Sequence, residues 1–151
     1  MLEIVKMTAQ HVDDVHVLEQ ISFPQDTWPK TAFMLELSKS VAFYIVALAD
    51  GKVVGYAGMH HVEDAADIVN IAVHPYFRRM GIASAMLNTL EAQVLELGVT
   101  TITLEVRLSN APAQKLYQSH GFAAIAVREG YYRTPKEDAV IMQKSNLGGN
   151  P

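Results

Sequence analysis

The chain has 151 residues, 50% of them hydrophobic and 19% charged, with 12 basic against 16 acidic residues and a net charge of −4. That length and apolar content suit one folded domain with a buried core, and the acidic balance excludes an overall basic field for nucleic acid or an anionic membrane. There is no cysteine, which removes disulfides, cysteine-bearing zinc sites and a thiolate nucleophile together.

Leu2 to Met7 alternates as a strand rather than as an apolar leader, and no apolar run approaches about 18 residues, so a soluble cytoplasmic protein without membrane contact is expected. Thr8 suits the N-cap of a helix whose apolar positions Val12, Val15, Leu18 and Ile21 keep a helical period. Ser22 to Pro29 reads as a loop holding Pro24, Trp28 and Pro29, and Thr31 to Leu37 as a short helix. Ala42 to Ala49 and Lys52 to Val62 flank Asp50-Gly51, two residues that tolerate positive φ and so predict a tight hairpin. Asp67 to Val73 is a further strand. Ile82 to Leu97 is a helix with an apolar face of Ala83, Met86, Leu87, Leu90, Val94 and Leu97, stopped by Gly98. Thr101 to Val106 alternates again, placing Ile102, Leu104 and Val106 on one face and Thr101, Thr103 and Glu105 on the other. Ala111 to His120 is a second long-period helix closed by Gly121. Strands near Ala123 to Gly130 and Asp138 to Lys144 follow, and Asn146 to Pro151 reads as a loose tail. The domain is therefore expected over residues 1–145, with a flexible 146–151.

Two groups of residues carry chemistry. Arg78-Arg79-Met80-Gly81-Ile82-Ala83 sits at a helix start, where the first-turn N–H groups are already positive, and two arginines there are unfavourable unless an anion binds. Gly81 and Ala83 would let ligand oxygens approach backbone N–H groups, as helix N-termini and nests hold phosphate. The other reading is a solvated basic turn. The second group runs from Glu105, at a strand end, through Ser109-Asn110 to Tyr117, two turns inside the next helix. A strand-end carboxylate beside a cleft can take a proton from an ammonium, and a phenol can return one to a leaving anion. Equally, Glu105 can be an ordinary strand residue, Asn110 an N-cap and Tyr117 a packing residue.

The histidines do not suggest a metal. His60 and His61 would point to opposite faces of a strand, His11 and His16 do not share a helix face, and His74 and His120 are isolated. The methionines read as core filler. Phe23, Trp28, Tyr131 and Tyr132 fit either a core or a peptide-contact role.

Taken in order, Ile71-Ala72-Val73, His74-Pro75, Arg78 to Ala83, Leu104-Glu105-Val106-Arg107, Ser109-Asn110 with Ala113, Leu116-Tyr117 and Gly121-Phe122 resemble the GNAT superfamily of acetyl-CoA-dependent N-acetyltransferases. The match covers nearly the whole chain. Phe23, Trp28-Pro29, the Leu-Glu-Val-Arg strand, Tyr131-Tyr132 and Glu137-Asp138-Ala139 look most like the bacterial ribosomal-protein-alanine (RimI) branch. The resemblance implies an α/β (α+β) fold, with a mixed, mostly antiparallel sheet of six to seven strands, about four flanking helices and a splay between the fourth and fifth strands. It implies acetyl-CoA as cosubstrate and no metal. The pyrophosphate would lie on Arg79, Met80, Gly81, Ile82, Ala83 and Ser84, with Arg78 beside them. Pantetheine would run along Ile71, Ala72 and Val73, with Asn110 binding it from the other side. Glu105 would be the proton acceptor and Tyr117 the donor to the thiolate, with Trp28 and Tyr132 contacting the acceptor. The family signature opens with Gln or Arg and closes with Gly or Ala, so Arg78 and Ala83 fit it, Ala83 leaving slightly less room than Gly.

Without cysteine, direct attack of the amine on acetyl-CoA is the simplest route, and it needs a neutral amine. A free α-amino group has a pKa near 8, roughly two to three units below lysine, so its deprotonation is the smaller task. The expected acceptor is a protein N-terminus, the alanine that begins protein eighteen of the small ribosomal subunit, with no nucleic acid contacted directly and a monomer or weak dimer as the working form. The alternatives are acetylation of lysine or a small amine, and an acetyl-CoA-binding module acting through a partner. Glu105, Asn110 and Tyr117 together favour the enzyme.

Overall fold

The computed structural model describes residues 1–148. The alternating and helical patterns resolve into β1 (Leu2–Lys6), α1 (Val12–Ser22), α2 (Lys30–Leu37), β2 (Ala42–Ala49), β3 (Lys52–Val62), β4 (Ala65–Val73), α3 (Ile82–Glu96), β5 (Thr101–Arg107), α4 (Ala111–Ser119), β6 (Ala123–Arg133) and β7 (Lys136–Lys144). The seven strands form one mixed sheet in the order β1-β2-β3-β4-β5-β7-β6. The parallel β4–β5 ladder runs over Ala65↔Thr101 to Asp67↔Thr103, a short register of the kind a splayed sheet needs. No helix among the described residues is long and apolar enough to cross a membrane.

The chain divides into two compact units. The first is Met1–His60 with Val69–Ala92. Its hairpin turns as the dipeptide dictates: Asp50 and Gly51 take φ of 50° and 82°, and Ala49 pairs with Lys52 across them. β1 runs antiparallel to β2, which runs antiparallel to β3. The core gathers Met7, Val12, Val15, Leu18, Phe33, Tyr44, Val46, Tyr56 and Ala72. Thr8 opens a short 3-10 turn (Ala9–His11) rather than α1 itself, and His11 Nδ1 accepts its N–H at 3.0 Å. With α1 starting at Val12, the buried stripe runs Val12, Val15, Leu18 and Glu19, and Ile21 is 46% exposed. The expected apolar position is taken by a carboxylate. In α3, Ile82 is buried with Met86, Leu87 and Leu90.

The second unit is His61–Ile68 with the chain from Gln93 onward. β5 pairs antiparallel with β7 from Ile102↔Lys144 to Arg107↔Ala139, and β7 with β6. Ile102, Leu104 and Val106 are buried as their parity requires, with Val140 and Met142 on the same face. Leu97, expected on the apolar face of α3, is 43% exposed, because the helix ends at Glu96 and Gly98 turns the chain at φ 79°. The described part of the tail is tied down. Leu147 is buried and its N–H donates to the Thr100 carbonyl at 3.0 Å. The end of the expected loose segment, 149–151, lies outside the described residues.

Candidate active site

The first unit holds the turn that suits an anion. His74 follows β4, its N–H bonded to the Val54 carbonyl at 2.8 Å, and its Nδ1 accepts the Tyr76 N–H over a 3-10 turn, Pro75–Phe77. The chain then runs extended at Arg78 (φ −70°, ψ 158°) and left-handed at Arg79 (φ 63°) and Gly81 (φ 78°) before α3 begins at Ile82. A left-handed arginine costs about 1–3 kcal/mol and persists only where the surroundings enforce it. Here buried Ile82 anchors the helix start and the Ala85 N–H donates to the Gly81 carbonyl at 3.0 Å. The left-handed steps turn successive N–H groups toward a common side, which makes a concavity for anions. No protein atom lies within 4 Å of where a Gly81 Cβ would stand. Arg78, Arg79 and Met80 are exposed, while Ala83 and Ser84 are half-buried. Along the strand leading in, Ala72 is buried between half-buried Ile71 and Val73, and its carbonyl lies 3.1 Å from the Cβ position of Gly55. A side chain there would press against that carbonyl, so glycine suits the close approach of β3.

The second unit holds the proton-transfer candidates. Glu105 is half-buried on the β5 face opposite Leu104 and Val106. Burial, then the nearby Asp67 carboxylate, push its pKa above the ordinary carboxylate value, and the Arg128 guanidinium partly opposes them. A carboxyl raised in this way is a stronger base once ionised. Tyr117 is buried in α4 with its ring 5.9 Å from Phe122, and burial raises its phenol pKa. Asn110 caps α4, its Oδ1 accepting the Ala113 N–H at 3.2 Å. The capping role is therefore real, and it leaves the side-chain NH₂ for another acceptor.

Tyr132 is fixed by a cluster that patterning does not reveal. The Arg107 guanidinium stacks over its ring at 4.2 Å, donates to the Pro135 and Thr134 carbonyls at 2.9 and 3.2 Å, and pairs with Glu137 at 3.2 Å. Glu137 also accepts the Ser109 N–H at 2.7 Å. The Ser109 hydrogen bonds and Arg107 hold Glu137 below the usual carboxylate pKa, while burial, then Tyr131, raise Tyr132 to about 12. One carboxylate thus ties the β6–β7 connection to the residues preceding α4.

Trp28 is half-buried against the first unit's core, 5.4 Å from the Phe33 ring. Its backbone reports a network that periodicity missed. The Trp28 N–H donates to Glu19 Oε2 at 3.1 Å, its carbonyl meets His16 Nδ1 at 3.0 Å, and the Tyr56 hydroxyl donates to Glu19 Oε1. Asn70 donates to Tyr56 at 3.1 Å. A second buried carboxylate, Glu36, accepts from Tyr44 at 2.7 Å and meets His60 and Lys39. The sequence signal was available: a lone Glu on an otherwise apolar helix stripe needs buried donors, and Tyr44 and Tyr56 lie on core strands. Among the described residues, no group of three or more His, Asp or Glu is placed to hold a metal ion.

A family model described as "Acetyltransferase (GNAT) family" matches residues 12–122. The chain belongs to the GNAT family. This GNAT protein is 36% identical over 137 residues, 90% of each chain, to a Bacillus subtilis (strain 168) protein provisionally named [ribosomal protein bS18]-alanine N-acetyltransferase. It is 43% identical over 95 residues to the [ribosomal protein bS18]-alanine N-acetyltransferase of Escherichia coli (strain K12), 62% of this chain and 64% of that one. The crystal structure of the Escherichia coli ribosomal-protein-S18-alanine N-acetyltransferase superposes with a TM-score of 0.87 at 31% identity, covering 97% of this chain and 94% of the other. As a GNAT member with these relatives, the protein is an acetyl-CoA-dependent N-acetyltransferase.

Proposed function

We propose that this GNAT enzyme acetylates the N-terminal α-amine of a ribosomal protein whose first residue is alanine. The observation that carries the proposal is kinship, over nine-tenths of both chains, with a protein provisionally named for that reaction. The described residues supply the chemistry it needs. Acetyl-CoA's pyrophosphate rests on the N–H groups from Arg79 to Ser84, with Arg78 available to a further phosphate, and pantetheine extends along Ile71, Ala72 and Val73 with Asn110 as a second contact. Glu105, whose raised pKa makes it a competent base, takes the ammonium proton directly or through water. The neutral nitrogen attacks the thioester carbonyl, and the tetrahedral intermediate loses the nitrogen's second proton to water as it collapses to the amide and expels the thiolate. Tyr117 donates its hydroxyl proton to that sulfur. Its burial disfavours a lasting phenolate, so the proton must be regained from solvent before the next turnover. Tyr132, held by Arg107, and Trp28 contact the acceptor peptide. The enzyme works in the cytoplasm, where ribosomes are assembled. Mass spectrometry of peptides incubated with acetyl-CoA tests the proposal: an acetyl group on the alanine nitrogen supports it, and one confined to lysine side chains overturns it.

A further inference from the structure

Asp67 has no part in the reaction as described, yet the fold holds it beside the base. It is the last β4 residue of the parallel ladder, paired with Thr103. Residues paired across a ladder point to the same side of the sheet, and Thr103 and Glu105 share a face because they are two apart on one strand. The ladder spacing and the rise along β5 put the Asp67 and Glu105 backbones about 8 Å apart, so the two side chains can approach closer still. Ala66 and Ile68, the neighbours of Asp67, are buried, while Asp67 itself is exposed. Its parity is therefore set by the core, which keeps it on the Glu105 face of the sheet.

We propose that Asp67 is a positioning residue for acetyl transfer, acting through Glu105: its carboxylate faces the base across the β4–β5 ladder and keeps Glu105 a stronger proton acceptor for the acceptor's ammonium. The inference rests on the assignment of Glu105 as base. Other groups facing Glu105 have definite signs. Arg128, on β6, opposes Asp67 and favours the ionised carboxylate. Tyr131 and Tyr132, also on β6, feel the Glu105 charge, and Arg128 lies 5.4 Å over the Tyr131 ring. Both phenols are raised above their ordinary value and stay neutral where Glu105 titrates, so beyond burial the charges acting on Glu105 are those of Asp67 and Arg128. A carboxylate about 8 Å away raises its neighbour's pKa, and the exposure of Asp67 to water weakens that effect without abolishing it.

Two neutralising variants separate this role from a structural one, because their effects have opposite sign. The Glu105 carboxyl carbon is titrated in glutamate-labelled protein, with E105Q identifying the resonance. The kcat/KM of acetyl transfer to a synthetic peptide beginning with alanine is followed against pH in parallel. D67N is expected to lower the Glu105 pKa by about 0.5–1 unit and move the acidic limb of the activity profile down with it, whereas R128Q moves both upward. An unmoved Glu105 resonance in D67N overturns the inference, as do shifts of the same sign in both variants. If instead D67N shifts the resonance as expected but E105Q turns over at the wild-type rate, the assignment of the base has failed and the inference falls with it. NMR detects the Asp67–Glu105 coupling whether or not the peptide is acetylated, so the two failures are distinguishable.

Discussion

Gly81→Val probes the acetyl-CoA turn at its narrowest requirement. Gly81 sits at φ 78°, where an L-residue pays about 1–2 kcal/mol and a β-branched one more. The space around its Cβ position is open within 4 Å, so no clash with the protein adds to that strain. A loss of about 1–2 kcal/mol lowers Tm by roughly 2–8 °C in a chain of this size. Affinity should suffer more than stability, because the valine methyls occupy the volume through which phosphate oxygens reach the N–H groups. Losing one or two charge-assisted hydrogen bonds of about 1.5–3 kcal/mol each weakens acetyl-CoA by roughly tenfold at the least and by about 10⁴-fold at the most. Calorimetry gives the affinity and thermal unfolding the strain. Gly81→Ala serves as control, since it carries similar backbone strain with less bulk and should keep more of the affinity. Unchanged acetyl-CoA affinity in a folded Gly81→Val protein would refute the placing of the pyrophosphate on this turn.

Tyr117→Phe keeps the buried ring against Phe122 and deletes only the hydroxyl. Stability and acetyl-CoA affinity should therefore hold while kcat falls, and a wild-type kcat with chemistry rate-limiting would make Tyr117 a packing residue. Glu19→Ala removes the acceptor for both the Tyr56 hydroxyl and the Trp28 N–H inside the first unit's core. Two stranded donors and a cavity cost about 2–4 kcal/mol, read by denaturant unfolding, and a loss under about 1 kcal/mol would show that the network does not support the loop bearing Trp28.

The parts of the fold legible in the sequence are those in which local chemistry and tertiary demand agree. Asp50-Gly51 adopts positive φ wherever it lies, and the hairpin falls where the dipeptide puts it. The parity of Ile102, Leu104 and Val106 is enforced by burial, which places Glu105 on the opposite face. The departures have separate causes. Ile21 faces outward because steps of three drift off a 3.6-residue period and leave it half a turn from Val12, and Leu97 does so because α3 stops at Glu96. Glu19 gives no local signal because its tyrosine partner lies 37 residues away, and Glu36 gives none because Tyr44, eight residues on, sits in a strand whose period differs from that of the helix. At the site, the motif turn, Glu105, Asn110 and Tyr117 could be singled out by local signals. The clamp of Arg107 and Glu137 around Tyr132 could not, since it joins β5 to β7 through a side-chain bond that leaves no periodicity.

The most direct test of Glu105 as the base for α-amine acetylation is the rate at which a peptide beginning with alanine and carrying one internal lysine is acetylated, with the modified nitrogen located by mass spectrometry, for wild type and Glu105→Gln. The account predicts acetyl on the α-nitrogen and a fall of roughly 10²–10⁴ in the variant at neutral pH, partly recovered as rising pH deprotonates the amine in solution. Acetyl on the lysine alone, or a Glu105→Gln rate equal to wild type across the pH range, would contradict it.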